Sequence, residues 1–324
     1  MVLTHRRPQG ATRPALLAIG LAALIFSACN GTDATPSSPS GFELPWSPAS
    51  LSGRNFTVPG VDNVPDIYGD VSDPDLVVFM GGNQFMVVDD LVTAFRKEHP
   101  QVKKVLVQTL PPGILQDQMK QGGLVIGKMR LSYRPDVFLA GRQRLREMQS
   151  KGSPFRRIET YTSNRLSIMV AEGNPKKISG LRDLGDGDVR VAMPNEKWEG
   201  IADLIRRAYR KAGGDDLDRR IMQEKTRNGT TMITDIHHRQ TPLWILGGRA
   251  DAGVTWKTEV THQKRLGHPI DGVELPAGHN VASTSAAGVF ADAPHPKAAE
   301  AFVGFLISDT GQAIYRRYGF EPPK

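Results

Sequence analysis

The strongest constraint on the fold is a regular alternation of short apolar segments with longer amphipathic ones, which begins at Asp75. The segment DLVVFM (75–80) is typical of a buried strand, and the apolar residues after it follow helical spacing until Pro100. Apolar segments at 102–110 and 135–141 repeat the pattern, each followed by a stretch of helical character. Strands that alternate with helices predict mostly parallel sheets with helices on both faces. The expected fold class is therefore α/β.

The second half of the chain continues this alternation. Further strands are expected at 165–175, 188–195 and 252–256, a long helix at 200–214, and two amphipathic helices within 297–320. In open α/β sheets, ligands bind at the carboxyl ends of the strands. The candidate binding loops are therefore those that follow strands, at 81–84, 109–113, 140–142, 194–200 and 255–259.

Residues 1–28 have the composition of a secretory signal peptide. Basic residues precede an apolar run (15–26) that is too short to span a bilayer stably. Small residues then lead to Cys29, in an arrangement that resembles the lipobox of bacterial lipoproteins. We expect lipidation of Cys29 and a tether and N-terminal extension over 29–74 that is rich in Ser, Pro and Gly. A plain cleaved signal with an incidental cysteine is the alternative.

Charge and cysteine content exclude several classes of protein. The chain has 41 Lys and Arg against 34 Asp and Glu, and removal of residues 1–28 takes away three arginines and leaves a net charge of +4. This mild excess is compatible with an anionic ligand, but no basic cluster is interleaved with aromatic residues, so no nucleic-acid partner is expected. Because Cys29 is the single cysteine, neither a disulfide nor a thiolate metal site is expected.

The sequence contains no familiar motif of covalent or metal-assisted catalysis. It has no Gly-x-Ser-x-Gly elbow, no His-Glu-x-x-His helix and no phosphate-binding P-loop. We therefore expect no catalytic site and no cofactor. A hydrolase would require a Ser/His/acid cluster within hydrogen-bond distance.

Four segments carry a family resemblance. The ending KAAEAFVGFLISDTGQAIYRRYGF (297–320) has a packing helix, the pattern FL-x-S-x-x-GQ and a terminal YGF, and RADAGVTWKTEV (249–260) has an Ala-Asp-Ala-Gly strand that ends in an aromatic residue. With RPDVFLAG (134–141) and NRLSIMVAEGNP (164–175), these segments resemble the periplasmic solute-binding proteins of ABC importers, in the group that includes molybdate- and tungstate-binding proteins. The similarity extends over residues 75–320.

This resemblance implies a two-lobed periplasmic-binding-protein type II fold, in which each lobe is a mixed, mostly parallel sheet flanked by helices. The expected lobe 1 combines residues 75–162 with 270–324, and the expected lobe 2 holds residues 163–269. The resemblance also implies a periplasmic monomer, attached to the membrane only through its lipid anchor. Such a protein closes around a small anionic ligand and docks on an ABC permease in the inner membrane.

The segment HHRQTP (237–242) combines two histidines, an arginine and a glutamine just before a predicted helix. We expect Thr241 to be the N-cap and Pro242 the first helical residue, which puts the segment at the positive end of the helix, where an anion is favoured. Arg239 adds a fixed charge for an oxyanion or a carboxylate. Alternatively, Arg239 pairs with Asp235 and the histidines are surface residues. The candidate ligand contacts in this segment are His238, Arg239, Gln240 and Thr241.

A metal site at the two histidines is a less favoured interpretation, and the identity of any metal ligand is unknown at this level. Neighbouring side chains of an extended loop point in opposite directions, so one metal ion rarely binds both. Such a site would need a carboxylate from another loop, with Glu196, Glu199 and Glu259 as the candidates.

Positions carried over from the family complete the set on two further loops. The resemblance puts ligand-binding serines after the first and second strands, where this chain has Gly82, Asn83 and Gln84 in the first loop and Thr109 near the second. Asn83 and Thr109 can supply replacement donors. Trp256 stands where the family has a tyrosine and keeps one N–H donor.

The loop at 194–200 adds Asn195 and Glu196 as candidate contacts, whereas Arg142 and Arg144 are interpreted as solvated helix residues. The resemblance favours an oxyanion such as molybdate or tungstate. The two missing serines equally allow a small organic anion or a metal chelate, and a sensor or accessory role without transport is the alternative function.

Overall fold

The computed structural model describes residues 66–126 and 129–323 of the chain. The predicted signal peptide, Cys29 and the predicted tether up to residue 65 lie outside the described residues. The described residues belong to one compact unit. None of the helices in this part of the chain is long and apolar enough to cross a membrane.

The first sheet has six strands, and we call it lobe 1 together with its helices. Two neighbouring pairs in this sheet are parallel and three are antiparallel. In spatial order the strands are β1 (Ile67–Gly69), β3 (Val105–Gln108), β2 (Leu76–Met80), β6 (Val137–Gly141), β13 (Ser283–Phe290) and β7 (Phe155–Asn164).

The second sheet has five strands and forms the centre of lobe 2. Two of its neighbouring pairs are parallel and two are antiparallel. The order is β10 (Thr231–Ile233), β9 (Val191–Met193), β11 (Ala252–Trp256), β8 (Leu166–Ala171) and β12 (Ile270–Glu274). A separate antiparallel pair joins β4 (Leu124–Ile126) to β5 (Met129–Leu131).

The helices connect these strands in the predicted alternation. Lobe 1 has α1 (Val88–Glu98), α2 (Pro112–Gln121), α3 (Arg142–Ser150), α8 (Pro296–Leu306) and α9 (Asp309–Arg317), with a 3-10 turn at Gly82–Val87 before α1. Lobe 2 has α4 (Ile201–Arg219), which continues through a π turn into α5 (Lys225–Arg227), and then α6 (Gln240–Leu246) and α7 (Lys257–Arg265).

Alternate residues of the buried strands enter cores on opposite faces of each sheet. In β2, Leu76, Val78 and Met80 pack in one apolar cluster, whereas Val77 and Phe79 pack in another. Successive strand side chains point to opposite faces, so a strand covered by helices on both sides must be apolar throughout. Two clusters divide lobe 2 in the same way. The predicted α/β fold with two lobes is confirmed.

The chain passes between the lobes at two places. Strand β7 ends at Asn164 in the first sheet and β8 begins at Leu166 in the second, so the first crossing is almost immediate. The second crossing lies between Glu274, the end of β12, and Ser283, the start of β13. The predicted lobe boundary at 269/270 is therefore wrong by one strand, because β12 pairs with β8 in the second sheet.

The N-terminal extension also contributes to the fold. Strand β1 lies within the predicted tether and N-terminal extension (29–74), yet it pairs antiparallel with β3 at the edge of the first sheet. The backbone N–H of Thr109 donates to the carbonyl of Asp66 at 2.8 Å and extends this pairing. Short, partly polar edge strands give a weak periodic signal, which explains why the sequence pattern did not reveal β1.

Candidate functional site

A cavity of about 500 Å³ lies between the lobes. Lobe 1 contributes the loop after β2, the loop after β6 and the start of β13, whereas lobe 2 contributes the region before α4, His238 and Trp256 at the end of β11. Three of these positions are carboxyl ends of strands. The expected location of the ligand loops in an open α/β sheet therefore coincides with this cavity.

Three helices begin at the wall of this cavity. Pro112 starts α2, Arg142 starts α3 and Ile201 starts α4, and all three residues line the cavity. The first N–H groups of a helix have no partner within the helix, and the macrodipole adds partial positive charge there. At α2, Pro112 has no N–H and the N–H of Gly113 donates to the carbonyl of Trp198, so an anion in the cavity would meet the termini of α3 and α4.

Three arginines add full positive charges at the same wall. Arg142 and Arg144 lie in the first turn of α3, and Arg207 lies on α4. Arg144 donates to the amide oxygen of Gln116 at 3.2 Å, and within residues 66–126 and 129–323 no carboxylate pairs with any of the three guanidinium groups. Arg142 and Arg144, interpreted from the sequence as solvated helix residues, both line the cavity.

A buried network of His238 and two glutamates forms the lobe 2 side of the site. Nδ1 of His238 lies 2.8 Å from Oε1 of Glu199, and Nε2 lies 2.6 Å from Oε1 of Glu259. The backbone N–H of His238 also donates to Glu199, and the hydroxyl of Thr255 donates to Glu259. Because both ring nitrogens are occupied by carboxylates, His238 has no free ring donor for a ligand.

The network holds His238 in its charged form. Burial disfavours this charge, but attraction to Glu199 and Glu259 and the hydrogen bonds to both outweigh burial and raise the pKa of His238 to about 10. For Glu199, burial pushes the pKa upwards, yet the positive charge of His238 and its hydrogen bonds dominate and lower the pKa. The network therefore contains one imidazolium and an ionised Glu199.

A second buried network joins the two lobes. His237 and Arg239 of lobe 2 both contact the carboxylate of Asp66, which precedes β1 of lobe 1; Nε2 of His237 lies 2.9 Å from Asp66 Oδ1. All three side chains are almost completely buried. The ring of His237 also packs against Gly82, where a Cβ would lie 3.3 Å from the imidazole and 3.0 Å from the carbonyl oxygen of Thr109. We call the set Asp66, His237 and Arg239 the interlobe latch.

The geometry of the helix after this segment differs from the prediction. Helix α6 begins at Gln240, and no side chain caps it. The predicted N-cap role of Thr241 and the predicted first position of Pro242 are wrong, since these are the second and third helical residues. The charge of Arg239 is directed to Asp66 and not to the cavity, and the predicted alternative of an Arg239–Asp235 pair is not what the structure shows.

The predicted ligand contacts fall into two groups. Gly82, Asn83, His238 and Trp256 line the cavity. Among the described residues the others do not line it and have structural partners instead. The side-chain amide oxygen of Gln84 accepts from the hydroxyls of Tyr161 and Tyr315. Asn195 donates to the backbone carbonyls of residues 234 and 235, Glu196 pairs with Arg206, and Gln240 donates to Asp235. Thr109, Arg239 and Thr241 are buried.

The structure also brings in residues that the sequence did not single out as ligand contacts. Arg207, Asn164 and the hydroxyl side chains of Ser283 and Ser285 line the cavity, and Glu199 had been considered only as a possible metal ligand. The sequence signal of Ser283 and Ser285 is weak, because both lie at the start of β13, directly after a lobe crossing, and the family serines lie after the first and second strands. In the part of the chain that the structure describes, no group of three or more His, Cys, Asp or Glu side chains is arranged to hold a metal ion.

The family of bacterial extracellular solute-binding proteins matches the chain over residues 76–321. Since this match covers most of the sequence, the chain belongs to that family. Among curated proteins, no significant relative of the sequence is found. Membership of an extracellular family implies a periplasmic location and a role in binding a small solute.

Solved structures share the fold at low sequence identity. The Azotobacter vinelandii periplasmic molybdate-binding protein is 17% identical with a TM-score of 0.62, and the match covers 77% of this chain and 100% of that one. L-Phospholactate-bound PEB3, a Campylobacter jejuni protein, is 17% identical with a TM-score of 0.57 (76% and 99% covered). Iron-bound HitA from Pseudomonas aeruginosa is 16% identical with a TM-score of 0.58 (77% and 86% covered). These similarities show a two-lobed binding-protein fold.

The interlobe latch predicts a large stability effect at Asp66. Asp66→Asn removes a buried carboxylate charge that faces Arg239, and breaking a buried ion pair from one side typically costs about 3–5 kcal/mol. We expect a drop of that order in the free energy of unfolding, measured by urea denaturation. Asp73→Asn is the matched control, because Asp73 is exposed in the same segment and its replacement should have little effect. Equal stabilities of the two variants would contradict the latch.

The His238 network predicts that stability depends on pH. The folded-state pKa of about 10 exceeds the ordinary value of 6.5, so this contribution is complete below pH 6.5 and is lost as the pH rises through the folded-state value. We expect the stability difference between the native protein and His238→Gln to shrink over that range. In NMR spectra, the His238 ring should stay protonated well above its ordinary pKa. Titration near 6.5 would contradict the network.

Proposed function

We propose that this protein captures a small anion in the cleft between its lobes and delivers it to an ABC permease. The observation that carries the proposal is the cavity lining, where the N-termini of α3 and α4 and three arginines without a carboxylate partner in the described residues face one space. Three carboxylates lie on the same lining, those of Glu147, Glu199 and Asp203. Helix termini and guanidinium groups are the protein's standard donors to anionic oxygens. Their concentration at one cleft favours a negatively charged ligand.

Capture follows from the division of the site between the lobes. Arg142, Arg144 and the serines of β13 belong to lobe 1, whereas Arg207 and Glu199 belong to lobe 2. A ligand that contacts both sets stabilises the closed arrangement over any open one by the difference in its binding free energies. The two crossings at Asn164–Leu166 and Glu274–Ser283 are the proposed hinges. A permease can then distinguish the closed, loaded protein from the open one.

The size of the cavity bears on the choice of anion. A cavity of about 500 Å³ in this arrangement of the lobes has space for an anion with a carbon framework. Binding proteins of this fold include one named for molybdate and one with L-phospholactate bound. We therefore favour a small organic anion over bare molybdate or tungstate, and keep both oxyanions in the binding test.

We also propose that the protein is a lipoprotein anchored through Cys29. The support is the order of basic residues, apolar run, small residues and cysteine at the start of the chain. A single acyl group binds membranes only marginally, so stable anchoring requires more than one chain. The residues that follow Cys29 have the composition of a flexible tether.

Anion capture predicts selective loss of binding when cavity arginines are removed. Arg142→Ala and Arg207→Ala should each weaken binding roughly 10- to 100-fold, because a charge-assisted hydrogen bond contributes about 1.5–3 kcal/mol. Binding would be measured by calorimetry, after a thermal-shift screen of molybdate, tungstate, sulfate, phosphate and small carboxylates finds the ligand.

The matched control for this prediction is Arg146→Ala. Arg146 is exposed on the same helix as Arg142 and does not line the cavity, so its replacement should leave affinity unchanged. Equal effects at Arg142, Arg207 and Arg146 would indicate only a general charge effect and would contradict a defined anion site. A screen in which no anion raises the melting temperature would contradict the proposed function.

The anchoring proposal predicts that Cys29→Ser releases the protein from the membrane. The serine side chain cannot form the thioether to lipid, so the variant should no longer incorporate labelled fatty acid. It should move from the membrane fraction to the released periplasmic fraction. If the native chain itself incorporates no lipid, the interpretation of residues 1–28 as an ordinary cleaved signal is favoured.

A further inference from the structure

Glu199 is a buried carboxylate at the cavity, which Glu147 and Asp203 also line. Its side chain is 4% exposed, and the residue lines the cavity beside His238. Oε1 accepts from the backbone N–H of His238 at 3.1 Å and lies 2.8 Å from its Nδ1. Oε2 makes no hydrogen bond to the described residues and is not among their fully buried atoms without a partner. The remaining exposure of the side chain is therefore on the cavity.

Both contacts of Glu199 with His238 are made by Oε1, which leaves Oε2 for another donor. The ring of His238 lies between Glu199 and Glu259. The neighbouring ring of His237 has its Nδ1 3.9 Å from Glu199, and its other nitrogen contacts Asp66. An ionised carboxylate accepts hydrogen bonds and donates none.

The rest of the cavity lining carries charges of both signs. Arg142, Arg144 and Arg207 supply positive charge, while Glu147 and Asp203 are further acidic groups on the lining. An oxyanion without protons can only accept hydrogen bonds. At Glu199 it is repelled by the negative charge, and neither partner can donate a hydrogen bond to the other. An anion with an O–H or N–H group can face the arginines with its negative oxygens and Glu199 with its donor.

We propose that Glu199 is a specificity-determining residue that selects anions carrying a hydrogen-bond donor, and that its Oε2 accepts that hydrogen bond. The ligand class is an oxyanion with a hydroxyl or ammonium group, either on the charged group itself, as in hydrogen phosphate, or on an attached carbon, as in a hydroxycarboxylate. This inference rests on the proposed anion capture and adds the feature by which anions are distinguished. His238 and Glu259 act as positioning residues that fix the carboxylate.

Pairs of ligands that differ in one donor test the proposal on the native protein. Hydrogen phosphate is compared with sulfate, and malate with succinate, at one pH and ionic strength by calorimetry. We expect the donor-bearing member to bind at least about tenfold tighter in one pair, because sites with buried polar groups discriminate strongly against ligands that leave them unpaired. The pair that shows the preference identifies whether the donor belongs to the phosphoryl group or to carbon.

A variant assigns the preference to one side chain. Glu199→Gln keeps the shape but replaces an oxygen by an N–H₂ donor, so sulfate or succinate should gain affinity relative to its partner, and the selectivity ratio should fall at least about tenfold. Glu196→Gln is the matched control, since Glu196 lies in the same loop as Glu199, pairs with Arg206 and does not line the cavity among the described residues. It should retain the selectivity of the native protein.

The outcomes separate this inference from the proposed function. Binding of sulfate and succinate as tightly as phosphate and malate by the native protein would overturn the role of Glu199 while leaving anion capture intact. An equal loss of selectivity in both glutamine variants would overturn the assignment to Oε2. If no anion of either pair, and none in the wider screen, binds the native protein, the proposed function fails and this inference fails with it. Melting temperatures of the variants verify that each is folded.

Discussion

The His238 imidazolium between Glu199 and Glu259 holds together the lobe 2 side of the cleft. Its two ring nitrogens contact Glu199, two residues before α4, and Glu259, in the first turn of α7. His238 itself lies in the loop before α6, so three segments that are distant in sequence meet at this ring. A buried charge is tolerable only when it is paired and hydrogen bonded, so these segments must meet in one arrangement. The position of Glu199 at the cavity, and with it the start of α4, depends on that arrangement.

Residues 237–239 serve two structural roles within one turn. His238 contacts partners in its own lobe, whereas His237 and Arg239 reach Asp66 in lobe 1. The same short segment therefore fixes the wall of the cleft and connects the lobes at its side. Gly82 permits this approach, because the imidazole of His237 lies where a larger side chain would collide. Contacts between the lobes that include buried charges give this side of the cleft a defined geometry.

The mixed charge of the cleft gives the molecule more than general affinity for anions. Arginines line it from lobe 1 and from α4, and Glu199 is the buried carboxylate beside them. In the proposed function the arginines attract the anion and Glu199 restricts which anions fit. A site with positive charges alone would bind any small oxyanion. A carboxylate in such a site lowers the affinity for anions in general and increases the difference in affinity between anions with and without a hydrogen-bond donor. A cavity of about 500 Å³ leaves space for a carbon framework beside the charged group.

Much of the fold follows from the sequence, because apolar periodicity and breaker residues are local properties. The strands at 76–80, 137–141 and 252–256 and the two C-terminal helices lie where the pattern predicts them. The edge strand β1 and the pairing of β12 with the second sheet were not predictable, since pairing partners are chosen by distant segments.

The site divides in the same way. The sequence by itself determined that the loops after the strands would line the cleft, and Gly82, Asn83 and Trp256 do so. Only the tertiary structure decided where the charges point. Asp66, which lies outside the recognised pattern, takes the charge of Arg239, and Glu199 and Glu259 take both nitrogens of His238. Arg142, Arg144 and Arg207 are left for the cavity. Partners of buried charges come from remote parts of the chain, and no local spacing encodes them.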